Sequence, residues 1–252
     1  MKKEGTFQRA LGVTLMAAAL TACAQQPTQP PAQAGGQNCA GRYGPNDQAG
    51  ALNRITPAKT LEATRLVKQG KAMRMGIETN SKTPAFAPRT FSITVLTPGQ
   101  EYGRSLGETK TNYNDDIIMG WVGIGSQLDG LGHIGIDGTY YNCAKGADFV
   151  TAGGLKKYGI ETVPAIATRG VILDMVALTG QNPVREGTAF NRKEIDAALA
   201  RQGNMKIGAG DVVIFRTGWT QLSGKDDQRY GTVEPGLGIE GAPTAATPSE
   251  AR

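Results

Sequence analysis

Three features of the sequence predict a mixed α/β fold. Glycine supplies 35 of the 252 residues, about twice the ordinary share of roughly 7%. It is spread along the chain, which favours many turns over a helical bundle. Two segments carry helix start and stop signals, and several short apolar runs are bounded by turn residues, as strands are.

The N-terminus carries Lys2, Lys3 and Arg9, then an apolar run over residues 11–20, then Leu20-Thr21-Ala22-Cys23. This order is that of a secretion signal. The run is shorter than the roughly 20 residues a bilayer-spanning helix needs. A cysteine at the first mature position resembles the bacterial lipobox. Residues 1–22 are therefore expected to be a lipoprotein signal peptide, with lipid on Cys23 holding the chain to a bacterial membrane, in the cell envelope and facing the periplasm or the exterior. Residues 23–40 are rich in Pro, Gln, Ala and Gly and read as a flexible tether. One domain follows from residue 41, long enough for a sizeable core. Without Lys2, Lys3, Arg9 and Glu4, the 27 basic and 22 acidic residues leave a net charge of +3. No basic run interleaves with aromatics, so nucleic acid is not an expected partner.

Residues 43–53 are rich in turn formers. Thr56-Pro57 places an N-cap before proline at the first helical position, and a helix is expected over residues 57–68 with Leu61, Ala63, Leu66 and Val67 on its apolar stripe. Gly70 stops it. Alternating Met73, Met75 and Ile77, then Phe91, Ile93 and Val95, read as strands. Asp115 and Asp116 follow Asn114 and read as turn residues, the alternative being a carboxylate pair that extends a site. Residues 120–138 are too glycine-dense for a helix and hold the only histidine of the chain. Asp137-Gly138 is a hairpin-turn signal. Residues 169–177 form a buried-strand candidate, and residues 191–202 a helix with Asn191 as N-cap, Glu194 three residues on and Gly203 as its stop. Residues 211–217 give another strand. Asp174 and Asp211 read as structural, and residues 239–252 as a disordered tail.

The sharpest chemical cluster is Gln127-Leu128-Asp129-Gly130-Leu131-Gly132-His133. It sets a carboxylate and an imidazole four residues apart in a glycine-rich loop. Both are ligands for divalent metals, and such a site needs three or more converging groups. The alternative is a hydrogen-bonded structural histidine. Cys39 and Cys143 remain after Cys23, and export permits a bridge between them, the alternative being two separate thiols.

Several segments together resemble the cyclase family of metal-dependent hydrolases, which includes kynurenine formamidase and isatin hydrolase. They are Tyr43-Gly44-Pro45-Asn46-Asp47, Gly50-Ala51-Leu52-Asn53, residues 127–133, Tyr141-Asn142, residues 169–174, Gly210-Asp211 and Thr217-Gly218-Trp219. The resemblance covers residues 41–238. It implies a mixed β-sheet or barrel-like core with flanking helices, in the swivelling β/β/α class. It also implies a hydrolase of the arylformamidase type that cleaves a formamide, an amide or a small cyclic amide or ester, with a divalent metal, Mn or Zn, as cofactor. The named family reaction is hydrolysis of N-formylkynurenine in tryptophan catabolism, a cytoplasmic step that the expected export makes less apt.

The family pattern HxGTHxDxPxH puts its aspartate on Asp129 and its last histidine on His133, which are thus the implied metal ligands. Its two leading histidines fall on Gly123 and Gln127. A family branch reading TQWDGLAH is closer to residues 126–133, which makes Gln127 a weak ligand or substrate contact with a catalytic role beside His133. Trp219 falls at a pocket-side position of the family and is the implied substrate contact, although an aromatic at a strand end also suits a core. Family members continue past the equivalent of Gly238 into a segment that supplies a further histidine and a glutamate, so the domain reads as incomplete at its C-terminus. Cys39 and Cys143 replace non-cysteine positions of the family pattern, which favours their pairing. The partners implied are a small-molecule substrate, a membrane through the N-terminal lipid and a second copy in a homo-oligomer. The rival reading is a non-catalytic ligand-binding lipoprotein, or an inactive member, that keeps the fold and a pocket.

Overall fold

Two parallel strands form the centre of the best-buried region. The computed structural model describes residues 41–96 and 105–242. The expected signal peptide and tether, with Cys23 and Cys39, lie outside the described residues, as do residues 243–252 of the expected tail. In chain order the regular elements are α1 (Pro57–Thr64), β1 (Phe91–Leu96), β2 (Asp115–Gly120), α2 (Gly146–Phe149), β3 (Val150–Thr151), β4 (Gly154–Leu155), β5 (Gly170–Asp174), α3 (Met175–Thr179), β6 (Ala189–Phe190), α4 (Arg192–Arg201), β7 (Val212–Arg216), α5 (Asp227–Tyr230) and β8 (Gly236–Leu237). Short 3₁₀ turns stand at Gly50–Arg54, Ile160–Thr162 and Trp219–Leu222. The mixed α/β expectation holds. The strands pair two by two: β1 with β2 and β3 with β4 antiparallel, β5 with β7 and β6 with β8 parallel. No closed barrel forms among the described residues.

The core follows from the period-two pattern of β5. Val171 and Leu173 are buried while Ile172 between them is exposed, as alternation across a sheet requires. They meet Met175, Val184, Phe190, Ile195 and Ala198 in one cluster, and Phe190 stacks on Phe215 of β7 with centroids 5.7 Å apart. β5 is shorter than the run that suggests it, because the Asp174 carboxylate accepts the Ala177 N–H at 3.0 Å. That N-cap turns the chain into α3 at Met175. α4 starts where expected, with the Asn191 N–H donating to Glu194 Oε2 at 2.9 Å. Gly203, at φ +82°, stops it.

Asp211 opens β7, and its side chain is fully buried. Its carboxylate lies 2.8 Å from Lys59 Nζ of α1, and it accepts from Arg169 Nε at 3.1 Å and the Gly208 N–H at 2.7 Å. Burial opposes its charge, but these donors outweigh burial and hold the carboxyl below its ordinary value of 3.8. Lys59 and Arg169 are in turn both raised, chiefly by their hydrogen bonds to Asp211. One buried carboxylate thus fixes α1 and the head of β5 to β7.

Three local expectations change. α1 ends at Thr64 rather than residue 68: Leu66 and Val67 are exposed, and a helix end with nothing to pack against is not sustained. Residues 72–77 form no strand, since Met73 and Met75 stand in solvent and among the described residues no strand pairs with them. Asp115 and Asp116 lie in β2 opposite Leu96 and Val95 rather than in a turn. Asp137 and Gly138, with φ of +49° and +65°, make the expected hairpin turn between Ile136 and Thr139.

Candidate active site

The segments that frame the glycine-rich loop are tied together by long-range hydrogen bonds. Asp47 accepts from the Tyr141 hydroxyl at 2.7 Å, from Asn53 Nδ2 at 2.6 Å and from the Gly50 N–H at 2.8 Å. Burial acts against its charge, and these donors overcome it, so the Asp47 carboxyl titrates below its ordinary value. Burial, reinforced by the bond to Asp47, pushes the Tyr141 hydroxyl up to about 12. Asn142 donates to the Gly44 carbonyl at 3.0 Å, and Gln48 Oε1 accepts the Tyr158 N–H at 2.9 Å. Residues 43–53 therefore clamp both the turn after Tyr140 and the segment around Tyr158. Behind them, Tyr140, Phe149, Tyr158 and Tyr141 form an edge-to-face chain with centroids 5.1, 5.4 and 5.9 Å apart, the arrangement aromatic quadrupoles prefer.

The Tyr158 segment then shapes the loop. A Cβ on Gly130 would lie 2.7 Å from the Tyr158 carbonyl oxygen, and one on Gly132 would lie 2.8 Å from Leu155 Cδ1 and 3.1 Å from that same oxygen. Only glycine permits this approach, and the Gly132 N–H donates to the Tyr158 carbonyl at 3.0 Å. The His133 N–H returns to the Gly130 carbonyl at 3.0 Å, closing a tight turn between Asp129 and His133. Asp129 Oδ1 and His133 Nε2 come to 3.8 Å, with the two side chains 44% and 47% exposed, so both can be reached from outside. Gln127 Nε2 donates to Asp129 Oδ2 at 3.4 Å.

All three side chains line one cleft of about 420 Å³, whose other walls include Tyr140, Tyr158, Val150, Leu155 and Ile160. Gln127, Asp129 and His133 are thus brought together. Trp219 is not part of this cleft. It is buried, donates its indole N–H to the Tyr230 carbonyl at 3.2 Å and carries the Arg229 guanidinium 5.5 Å above its ring. Cys143 is disulfide-bonded, while Cys39, the expected partner, lies outside the described residues. Sequence reasoning did not single out Tyr140 and Tyr158 as walls or Arg89, which reaches the loop at Gly123. Tyr140 at least adjoins the Tyr141-Asn142 motif.

Residues 47–247 match the family described as "Putative cyclase". The chain belongs to the cyclase family. A crystal structure described as that of a novel cyclase is similar at 30% identity and a TM-score of 0.72, over 81% of this chain and 70% of that one. Curated proteins show no match to the sequence.

The cleft of this cyclase-family chain suits a divalent metal in part. Two ligands at about 2.0–2.2 Å from one ion stand no more than about 4.4 Å apart, and Asp129 Oδ1 and His133 Nε2 fall within that limit. Among the described residues, no group of three His, Cys, Asp or Glu side chains could hold an ion.

Proposed function

We propose that this chain is a hydrolase of the arylformamidase type, cleaving a formamide, an amide or a small cyclic amide or ester in the Asp129–His133 cleft. The observation that carries this reading is the meeting of one carboxylate and one imidazole, both half-exposed, on a partly aromatic cleft in a member of the cyclase family. Tyr140, Tyr158 and Leu155 take the apolar part of the substrate. His133 removes a proton from the attacking water and returns one to the leaving group, roles for which an imidazole is suited near neutral pH. Asp129 stabilises the imidazolium that forms, and Gln127 holds the second carboxylate oxygen through its amide N–H. With Mn²⁺ or Zn²⁺ present, Asp129 and His133 would hold the ion instead of forming this acid–base pair, and the ion would supply Lewis acidity that acidifies water toward neutrality. We also read residues 1–23 as directing this chemistry to the cell envelope on a lipid-modified Cys23.

A second reading, a ligand-binding lipoprotein without catalysis, is favoured by the lack of a third metal-ligating side chain among the described residues. Formanilide hydrolysis by the full chain, assayed with and without added Mn²⁺ or Zn²⁺ and paired with metal analysis, separates the two. Turnover supports the hydrolase, and stimulation by the ion supports the metal role. A chain that binds formanilide without releasing formate under any of these conditions supports the binding reading and refutes the hydrolase.

A further inference from the structure

The loop after α1, residues 65–75, is rich in cations and in exposed apolar side chains. Between Glu62 and Glu78 the sequence holds Arg65, Lys68, Lys71 and Arg74 and no acidic residue. Every residue from 64 to 76 is exposed. Among the described residues no carboxylate pairs with any of the four cations, and Lys68 Nζ donates to the Arg65 carbonyl at 3.2 Å. The flanking acids are engaged elsewhere. Glu62 Oε1 lies 3.4 Å from Lys59 Nζ, and Glu78 Oε1 accepts from Asn80 Nδ2 at 3.3 Å. By contrast, Arg169, Arg216 and Arg229 are paired with Asp211, Asp174 and Glu186.

The same loop leaves Leu66, Val67, Met73 and Met75 between 53% and 85% exposed. Exposed apolar side chains that stand singly are ordinary. Four of them within residues 66–75, set among four cations, make a contiguous mixed surface of the kind that marks an interaction site. The loop is fastened at its ends and not along its length. Before it, Thr60 Oγ1 of α1 donates to the Ala167 carbonyl at 2.8 Å, and after it the Ile77 N–H donates to Ser126 Oγ at 2.9 Å. Among the described residues no hydrogen bond forms from Gln69 to Gly76, so the loop can meet a partner without breaking internal structure.

We infer that residues 65–75 dock on the surface of an anionic phospholipid bilayer, with the four cations among the headgroup phosphates and the apolar side chains at the acyl boundary. Charge complementarity selects an anionic partner, and each Lys or Arg near such a surface strengthens attachment. The apolar side chains select a bilayer over other polyanions. Single-stranded nucleic acid is gripped by stacking its bases on aromatic rings, and residues 62–78 contain no Phe, Tyr or Trp. Aliphatic and thioether side chains instead enter the boundary between headgroups and acyl chains, and the long stems of Lys and Arg keep their charges at headgroup level beside them. The inference rests neither on the lipid proposed at Cys23 nor on hydrolysis.

Backbone hydrogen exchange of the full chain tests the loop directly, because a contact made by the N-terminus is read at other amides. The probes are vesicles of phosphatidylcholine alone and vesicles of phosphatidylcholine and phosphatidylglycerol in equal parts, at low and high salt. The amides of residues 65–76 are expected to exchange at least about tenfold more slowly with the anionic vesicles than with the neutral ones, and salt shrinks that difference. Changing all four cations together, as Arg65→Gln, Lys68→Gln, Lys71→Gln and Arg74→Gln, abolishes the protection and lowers cosedimentation with anionic vesicles at least about tenfold. Met73→Ser with Met75→Ser keeps the preference for anionic vesicles but weakens binding to them. All these side chains are exposed, and thermal melts confirm that the variants fold. The inference is overturned by absent protection of residues 65–76, by equal protection with neutral vesicles, by protection that persists in the Gln variant, or by unweakened binding of the Ser variant. Equal protection by duplex DNA or by polyglutamate in place of vesicles overturns it as well, since the loop would then bind any polyanion.

Discussion

Between Gly170 and Arg216 the chain is held by burial, with Val171, Leu173, Met175, Phe190 and Ile195 almost wholly out of water. Between Trp121 and Thr162 burial is confined to a few side chains, Ile124, Phe149 and Tyr158 among them, and order comes largely from glycines that let backbone approach backbone, and from hydrogen bonds that cross about a hundred residues, such as Tyr141 to Asp47 and Tyr158 to Gln48. Gln127, Asp129 and His133 stand on the second kind of structure and are all exposed. The contrast implies a division of labour. The apolar region sets global stability, whereas the polar framework sets the geometry of the cleft, so damage to each is read out in a different measurement.

The largest effect is expected in the apolar region. Leu173→Ala leaves a cavity in the cluster and is expected to cost about 2–5 kcal/mol in denaturant unfolding. A change of under about 1 kcal/mol would show that this cluster does not set global stability. Asp211→Asn is next, at about 3 kcal/mol, because it leaves the Lys59 and Arg169 charges unbalanced. Its pH dependence has a fixed sign. The folded carboxyl titrates below 3.8, so its contribution is complete above that value and is lost as pH falls through the depressed one. Wild-type stability should fall more steeply than that of the Asn variant below about pH 4, and parallel acid titrations would contradict the assignment.

In the polar framework the costs are smaller and the functional losses relatively greater. Gly130→Ala pushes a methyl into the Tyr158 carbonyl and is expected to cost about 1–3 kcal/mol. Its hydrolytic rate should fall further than its stability accounts for, since Asp129 is the adjoining residue. Tyr141→Phe should be smallest, at about 1 kcal/mol. The Tyr141 hydroxyl is raised from 10.0 to about 12, so its contribution is complete below pH 10 and is lost as the pH rises toward 12. In alkaline unfolding the Phe variant should lack that component.

The same division decided what could be read from the sequence. α4 was legible because Asn191, Glu194 and Gly203 are local signals and its apolar face meets the core. The start of α1 was legible for the same reason, as the Thr56 cap accepts the Lys59 N–H. Its end was not, because Leu66 and Val67 lack the tertiary support that their spacing suggests. Asp115 and Asp116 were misread because their partners Val95 and Leu96 lie about 20 residues upstream, and pairing across such a gap leaves no local trace. At the site, Asp129 and His133 were visible because one short segment holds both. Arg89 was not, since its contact with Gly123 spans 34 residues. Trp219 had a local motif, yet it stands in the alternative setting that a strand-end aromatic allows, buried beside Tyr230 and Arg229.

Asp129→Ala tests whether the proposed hydrolysis takes place in the Asp129–His133 cleft. Asp129 is half-exposed and outside the apolar cluster, so the variant should fold with an unchanged thermal melt. Its rate of formate release from formanilide should fall by about 10²–10⁴ relative to wild type. A folded Asp129→Ala chain that releases formate at the wild-type rate would contradict the claim and move the chemistry elsewhere in the molecule.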